Sequence, residues 1–236
     1  MRIFRKAFCV LLMICSFVSA FSKNWNSPGY SDAGSWNTFN IDYRINKKFT
    51  ILFTEELRFR ENYSRLNLFY TNLGIEYKAN KYLKTALVYR WIDKFTDENN
   101  FSYRHRLSWD VVAKYPYKKF GVSYRHRLQS ELRNINSAET GKVPEWYSRS
   151  KFELNYSLTK KLTPYISCEF RYQISDPRNI ESDATWHRTR WQGGVDYQYT
   201  NKSKFGIYYL YQFEYNVPIQ EKLFITGLEY SLSLNK

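Results

Sequence analysis

Ser102-Tyr103-Arg104-His105-Arg106-Leu107 recurs residue for residue as Ser123-Tyr124-Arg125-His126-Arg127-Leu128, and Trp186-His187-Arg188-Thr189-Arg190-Trp191 echoes both. Successive side chains of an extended strand point to opposite faces. The first copy then places Tyr103, His105, Leu107, Trp109 and Val111 on one face and Arg104, Arg106, Ser108 and Asp110 on the other. The second places Val122, Tyr124, His126 and Leu128 against Arg125, Arg127, Gln129 and Glu131. One face is apolar and aromatic; the other is charged. Such strands run about twelve to fifteen residues, against about five to six in an ordinary soluble sheet. They fit a transmembrane barrel, apolar toward lipid and polar toward its lumen, in which about ten alternating residues cross the bilayer.

A mean hydropathy of −0.61 would suit a soluble chain. A barrel escapes that test because its two faces average out; with 19% aromatic residues the composition is neither disordered nor collagen-like. Residues 1–20 read as an export signal: Arg2, Arg5 and Lys6 precede the apolar run Ala7 to Val18, with small Ser19 and Ala20 before cleavage. Removing that segment takes away Cys9 and Cys15 and leaves Cys168 alone, without an intramolecular partner and expected to face lipid. The formal charge of +14 falls by three with it, to +11. Basic residues spread evenly along an exported chain, and not gathered into a patch, argue against nucleic acid as a partner.

Residues 21–34 form a polar, turn-rich segment, with Pro28-Gly29 and Asp32-Ala33-Gly34 as breakers, and residues 35–236 the barrel. Alternation marks eleven strands, the first from about Ser35. Single-chain bacterial barrels use even numbers, so the expectation is an antiparallel up-and-down barrel of about twelve strands, with ten as the alternative and Phe21 to Ser31 the place for a hidden strand. Short lysine-bearing turns alternate with longer acidic loops, the asymmetry expected of periplasmic and outer ends. Glu55 falls on the lipid face and predicts a bulge at Glu55-Glu56 or a position at the rim.

Pairing Tyr115 with Phe120 sets Asp110 opposite Arg125, Ser108 opposite Arg127, Arg106 opposite Gln129 and Arg104 opposite Glu131. Pairing Tyr77 with Leu83 sets Glu76 opposite Lys84, and Tyr199 with Phe205 sets Arg190 opposite Glu214, with Arg188 also inside. Directly opposed residues interact, so these side chains form the predicted charge network of the lumen.

Glu55-Glu56-Leu57-Arg58-Phe59, Leu73-Gly74-Ile75-Glu76-Tyr77 and Tyr103-Arg104-His105-Arg106-Leu107, with the alternation around them, resemble an uncharacterised outer-membrane family of the Bacteroides group, domain of unknown function 2490. The resemblance covers nearly the whole mature chain and implies an outer-membrane barrel. It transfers no activity and no functional residue. The end, Leu234-Asn235-Lys236, lacks the terminal aromatic common in strands handled by the barrel-assembly machinery, an expected partner along with outer-membrane lipids.

More Lys and Arg than Asp and Glu point inward, so the interior reads either as a salt-bridged filling or as a narrow pore for small anions. A lipid-modifying enzyme is the alternative: His105 and Ser130 would meet on the outer wall, with His126 four residues before Ser130, as nucleophile and base. No carboxylate or amide stands ready to orient either imidazole, so no catalysis is expected. Loop-mediated adhesion or complex formation through Asn134 to Glu145 is a further alternative. Dispersed histidines give no metal-ligand spacing, and no cofactor motif is present.

Overall fold

The computed structural model describes residues 30–95, 100–133, 142–177, 184–217 and 219–235. Residues 1–29, which include the expected export signal, and most of the loop at 134–145 lie outside the described residues. Eleven strands account for nearly all of the rest: β1 (Tyr30–Arg44), β2 (Phe49–Arg60), β3 (Arg65–Lys78), β4 (Leu83–Phe95), β5 (Phe101–Tyr117), β6 (Phe120–Arg133), β7 (Glu145–Tyr156), β8 (Leu162–Ser175), β9 (Thr185–Gln198), β10 (Ser203–Glu214) and β11 (Glu221–Leu234). Each pairs with its neighbour in the chain, and β1 closes on β11 into a barrel.

Ten of the eleven seams are antiparallel. The closing seam is parallel, running from Tyr30 opposite Glu221 to Tyr43 opposite Leu234. This corrects the expected even count. Parity follows only if every seam is antiparallel, and one parallel seam lets an odd number close. The seam occupies the edges of both β1 and β11 and leaves no gap there for a hidden strand. β1 also begins five residues earlier than expected, taking in Asp32-Ala33-Gly34. Asp32 accepts the backbone N–H groups of Glu61 (2.8 Å) and Asn62 (3.1 Å). These belong to a tight β2–β3 turn in which Glu61, Asn62 and Tyr63 all have positive φ. A Cβ at Gly34 would fall on the Phe59 carbonyl oxygen, so the residues read as breakers are those that let β1 lie against this turn.

The polarity of the faces is as the alternation requires. Leu73 is 57% exposed, Trp109 55% and Ile207 61% on the outside, whereas Glu131 and Gln129 are each 1% exposed within. Every predicted hairpin register is shifted by two residues, which preserves the face of each side chain. Tyr117, not Tyr115, meets Phe120, so Asp110 faces Arg127, Arg106 faces Glu131, Ser108 faces Gln129 and Arg104 faces Arg133. Lys78 faces Lys84 and Glu76 faces Ala86; Glu214 faces Arg188 and Arg190 faces Gln212.

Turn chemistry explains the shifts. In four of the five short turns a side-chain oxygen caps the next backbone N–H groups: Asn46 for Lys48 and Phe49, Asn80 for Tyr82 and Leu83, Thr159 for Lys161 and Leu162, Thr200 for Lys202 and Ser203. In each, two successive N–H groups donate to the carbonyl of the residue three beyond the cap, as Ala79 and Asn80 do to Leu83. The fifth turn is Lys118-Lys119, with Lys118 at positive φ; Pro116, read as a turn residue, lies within β5 opposite Gly121.

Glu55 is neither bulged nor at a rim. It sits mid-strand on the outer wall between Phe39 and Thr71, accepting the Thr71 hydroxyl at 2.8 Å. The register shift falls instead between Arg58 and Phe59. Cys168 is a free thiol on the outer face of β8, between Phe152 and Trp191.

Candidate functional site

Charged side chains fill the inside of the barrel in three tiers. Near the short turns, Lys84 meets Glu76 at 2.7 Å, Lys204 meets Asp196 at 2.7 Å and Lys151 meets Glu153 at 3.1 Å. Midway, Glu169 gathers Arg125 (2.7 Å), Arg149 (2.5 Å) and Arg190 (3.3 Å). Arg127 makes a two-pronged contact with Asp110, both arms 2.6 Å, and Arg58 meets Glu56 at 2.5 Å. Toward the longer loops, Glu131 takes Arg106, Arg104 (3.4 Å) and Arg133 (3.0 Å); Arg133 also reaches Glu145 (2.6 Å), and Arg188 holds Glu214. Such charge-assisted, partly bidentate contacts are the strong class of hydrogen bond.

All eleven residues of the predicted charge network therefore lie inside. Most pair differently: Arg125 reaches Glu169 rather than Asp110, and Glu214 takes Arg188 rather than Arg190. Two expected contacts survive as diagonals, Glu76 with Lys84 and Arg104 with Glu131, because long side chains span a two-residue offset.

Three arginines make no ion pair among the described residues: Arg44, exposed at the end of β1, and the inward-facing Arg90 and Arg171. Arg90 lies 3.5 Å over the Tyr70 ring and donates to Asn72 Oδ1 at 2.6 Å. Arg171 lies 4.6 Å over the Tyr147 ring and donates to His187 Nδ1 at 3.1 Å. Arginine can only donate, so in this contact His187 Nδ1 accepts. Strict alternation with Arg188 and Arg190 would put His187 on the outer face; a register shift between Arg171 and Tyr172 turns it inward, where it is 3% exposed. Trp36, Tyr70, Tyr147 and Tyr208 also project inside. Trp36 and Tyr208 pack with Leu210 and Ile225, and Trp36 lies 3.7 Å beneath the Arg58 guanidinium. Alternation assigns these rings to the lumen, but their role as plates for arginine was not legible from it.

The side chains enclose a cavity of about 350 Å³ lined by nine arginines and Lys151 against Glu56, Glu169 and Glu229. A second cavity of about 320 Å³, lined by Asp42, Gln198, Lys202, Lys204 and Ser233, shares Asn40 and Glu229 with the first, so the space continues to the short turns. At the other end Gln129, Glu131, Glu145, Tyr147 and Gln173 form a layer no more than 3% exposed, and none of them lines either cavity.

The outer-wall candidate does not assemble. His105 stands opposite Leu132 and Ser130 opposite Leu107. His105 Nδ1 meets the Tyr89 hydroxyl at 2.6 Å, and His126 Nδ1 lies 3.3 Å from Ser150. Among the described residues no cluster of three or more potential metal ligands occurs.

A family model described as a protein of unknown function, DUF2490, matches residues 33–222. The chain belongs to this family. The match runs from the start of β1 to the first two residues of β11 and so covers ten of the eleven strands. The DUF2490 barrel is also similar to a solved structure described as the NanC porin in a rhombohedral crystal form, at 12% identity and a TM-score of 0.49, covering 76% of this chain and 86% of that one. Comparison with curated proteins gives no match.

Proposed function

We propose that the chain spans the outer membrane as a non-catalytic barrel whose lumen is a narrow, anion-selective passage. The membrane reading is supported by the continuous apolar outer wall: a soluble protein does not expose Trp, Tyr and Leu around a whole closed sheet, and hydrocarbon is the solvent such a surface fits. The anion reading is carried by one observation, the cavity with ten cationic side chains against three carboxylates. The excess falls to three but stays positive when Arg106, Arg127, Arg188 and Lys151 are counted with Glu131, Asp110, Glu214 and Glu153 behind the lining. In a confined, low-dielectric space that excess favours anions over cations. Arg90 and Arg171 supply guanidinium charge that no carboxylate of the described barrel takes up.

Reconstitution in planar bilayers under a potassium chloride gradient tests this. Discrete conductance steps with a reversal potential on the chloride side are expected. Silence at high protein load, or cation selectivity, overturns it. Silence is the outcome required by a second reading, favoured by the packed layer around Glu131 and Tyr147: a barrel whose interior is a structural filling.

A further inference from the structure

The five short turns carry eight lysines, all exposed, and not one aspartate or glutamate. Their placement is not left to loop wander. Four turns share one hydrogen-bonded form, in which Asn46, Asn80, Thr159 or Thr200 caps the chain and lysine follows one or two positions later. The lysines are thus fixed around one rim of a closed barrel. Carboxylates of the same tier do not neutralise them, because Glu76 and Asp196 turn inward to Lys84 and Lys204.

Just above the collar the outer wall is aromatic. Tyr82, Tyr115, Tyr117 and Tyr199 are exposed there, and three turn lysines lean on neighbouring rings: Lys81 over Tyr82 at 4.8 Å, Lys118 over Tyr117 at 5.6 Å and Lys48 over Tyr77 at 6.0 Å. Aromatic rings of this kind mark the level where hydrocarbon gives way to headgroups. Ammonium groups directly below them reach the depth of lipid phosphates.

We propose that this lysine collar binds the headgroups of anionic phospholipids in the leaflet facing the short turns. The partner is a lipid, and not a soluble acidic polymer, because the cations adjoin the aromatic belt. The inference rests on the membrane reading above, and not on conduction by the lumen.

Competition between spin-labelled phosphatidylglycerol and phosphatidylcholine for the lipid shell of the full chain, refolded into phosphatidylcholine vesicles, is the test. Phosphatidylglycerol should be preferred by about fivefold at low salt, as one lysine near an anionic surface implies. The preference should vanish in molar salt, and again when the eight turn lysines are replaced by glutamine. Should that variant not refold, Lys160→Gln with Lys161→Gln alone should lower the preference. Equal retention of the two lipids by the wild type, or a preference untouched by salt and by the substitutions, overturns the proposal. Failure of the wild type to insert into phosphatidylcholine vesicles would instead sink the membrane reading on which it stands.

Discussion

Replacing Glu169 by glutamine removes the one carboxylate that Arg125, Arg149 and Arg190 share. The group is buried, as is Arg149, and its loss leaves three guanidinium groups converging without a counter-charge. Breaking a buried pair by deleting one partner costs about 3–5 kcal/mol. The glutamine keeps one acceptor oxygen, which offsets about 1 kcal/mol. The cavity beside it and the partial exposure of Arg125 pull the figure down further, so a loss of about 2–3 kcal/mol is expected. Urea unfolding of the barrel in phosphatidylcholine vesicles, followed by tryptophan fluorescence, measures it. Adding Arg149→Met to Glu169→Met should return part of the loss seen with Glu169→Met alone, because two guanidinium groups, those of Arg125 and Arg190, are then stranded instead of three. A single variant within about 0.5 kcal/mol of the wild type, the range of an ordinary surface substitution, would refute the view that Glu169 ties β6, β7 and β9 to its own β8.

The same unfolding assay checks three further changes. If the apolar outer wall meets lipid as proposed, Glu55→Leu should stabilise the barrel by about 1–2 kcal/mol, since it takes a carboxylate off that wall at mid-strand, and a loss of stability would count against the membrane reading. Gly227→Val should cost about 1–3 kcal/mol, because a Cβ there runs into the Tyr208 ring; Tyr208→Ala in the same chain should relieve most of it. Asp32→Ala strands the N–H groups of Glu61 and Asn62 in a turn of three positive-φ residues and should lower stability by about 1–2 kcal/mol, with faster amide exchange confined to that turn.

The faces of the strands are legible from the chain because their signal is local. A period of two assigns every side chain between Phe101 and Tyr117 to inside or outside without knowledge of any neighbour, and errors of two residues leave that assignment intact. Register is less legible. It depends on which atoms close each turn: Asn80 and Thr200 cap their hairpins through side-chain oxygens, and Pro116 stays in its strand, so each predicted pairing moved by two. His187 departs from strict alternation for a related reason, since a shift of register between β8 and β9 leaves no mark in the sequence.

By itself the sequence determined that an apolar wall faces outward and an arginine-rich one inward, because alternation is written residue by residue. Only the tertiary structure decided that eleven strands close through a parallel seam between β1 and β11, since closure is a property of two edges almost two hundred residues apart. It alone decided which arginines share Glu169 and which, like Arg90 and Arg171, rest on rings without a carboxylate. Those partners lie on neighbouring strands and on strands beyond them, as Arg125 on β6 does from Glu169 on β8, and their distances exist only once register and curvature are set.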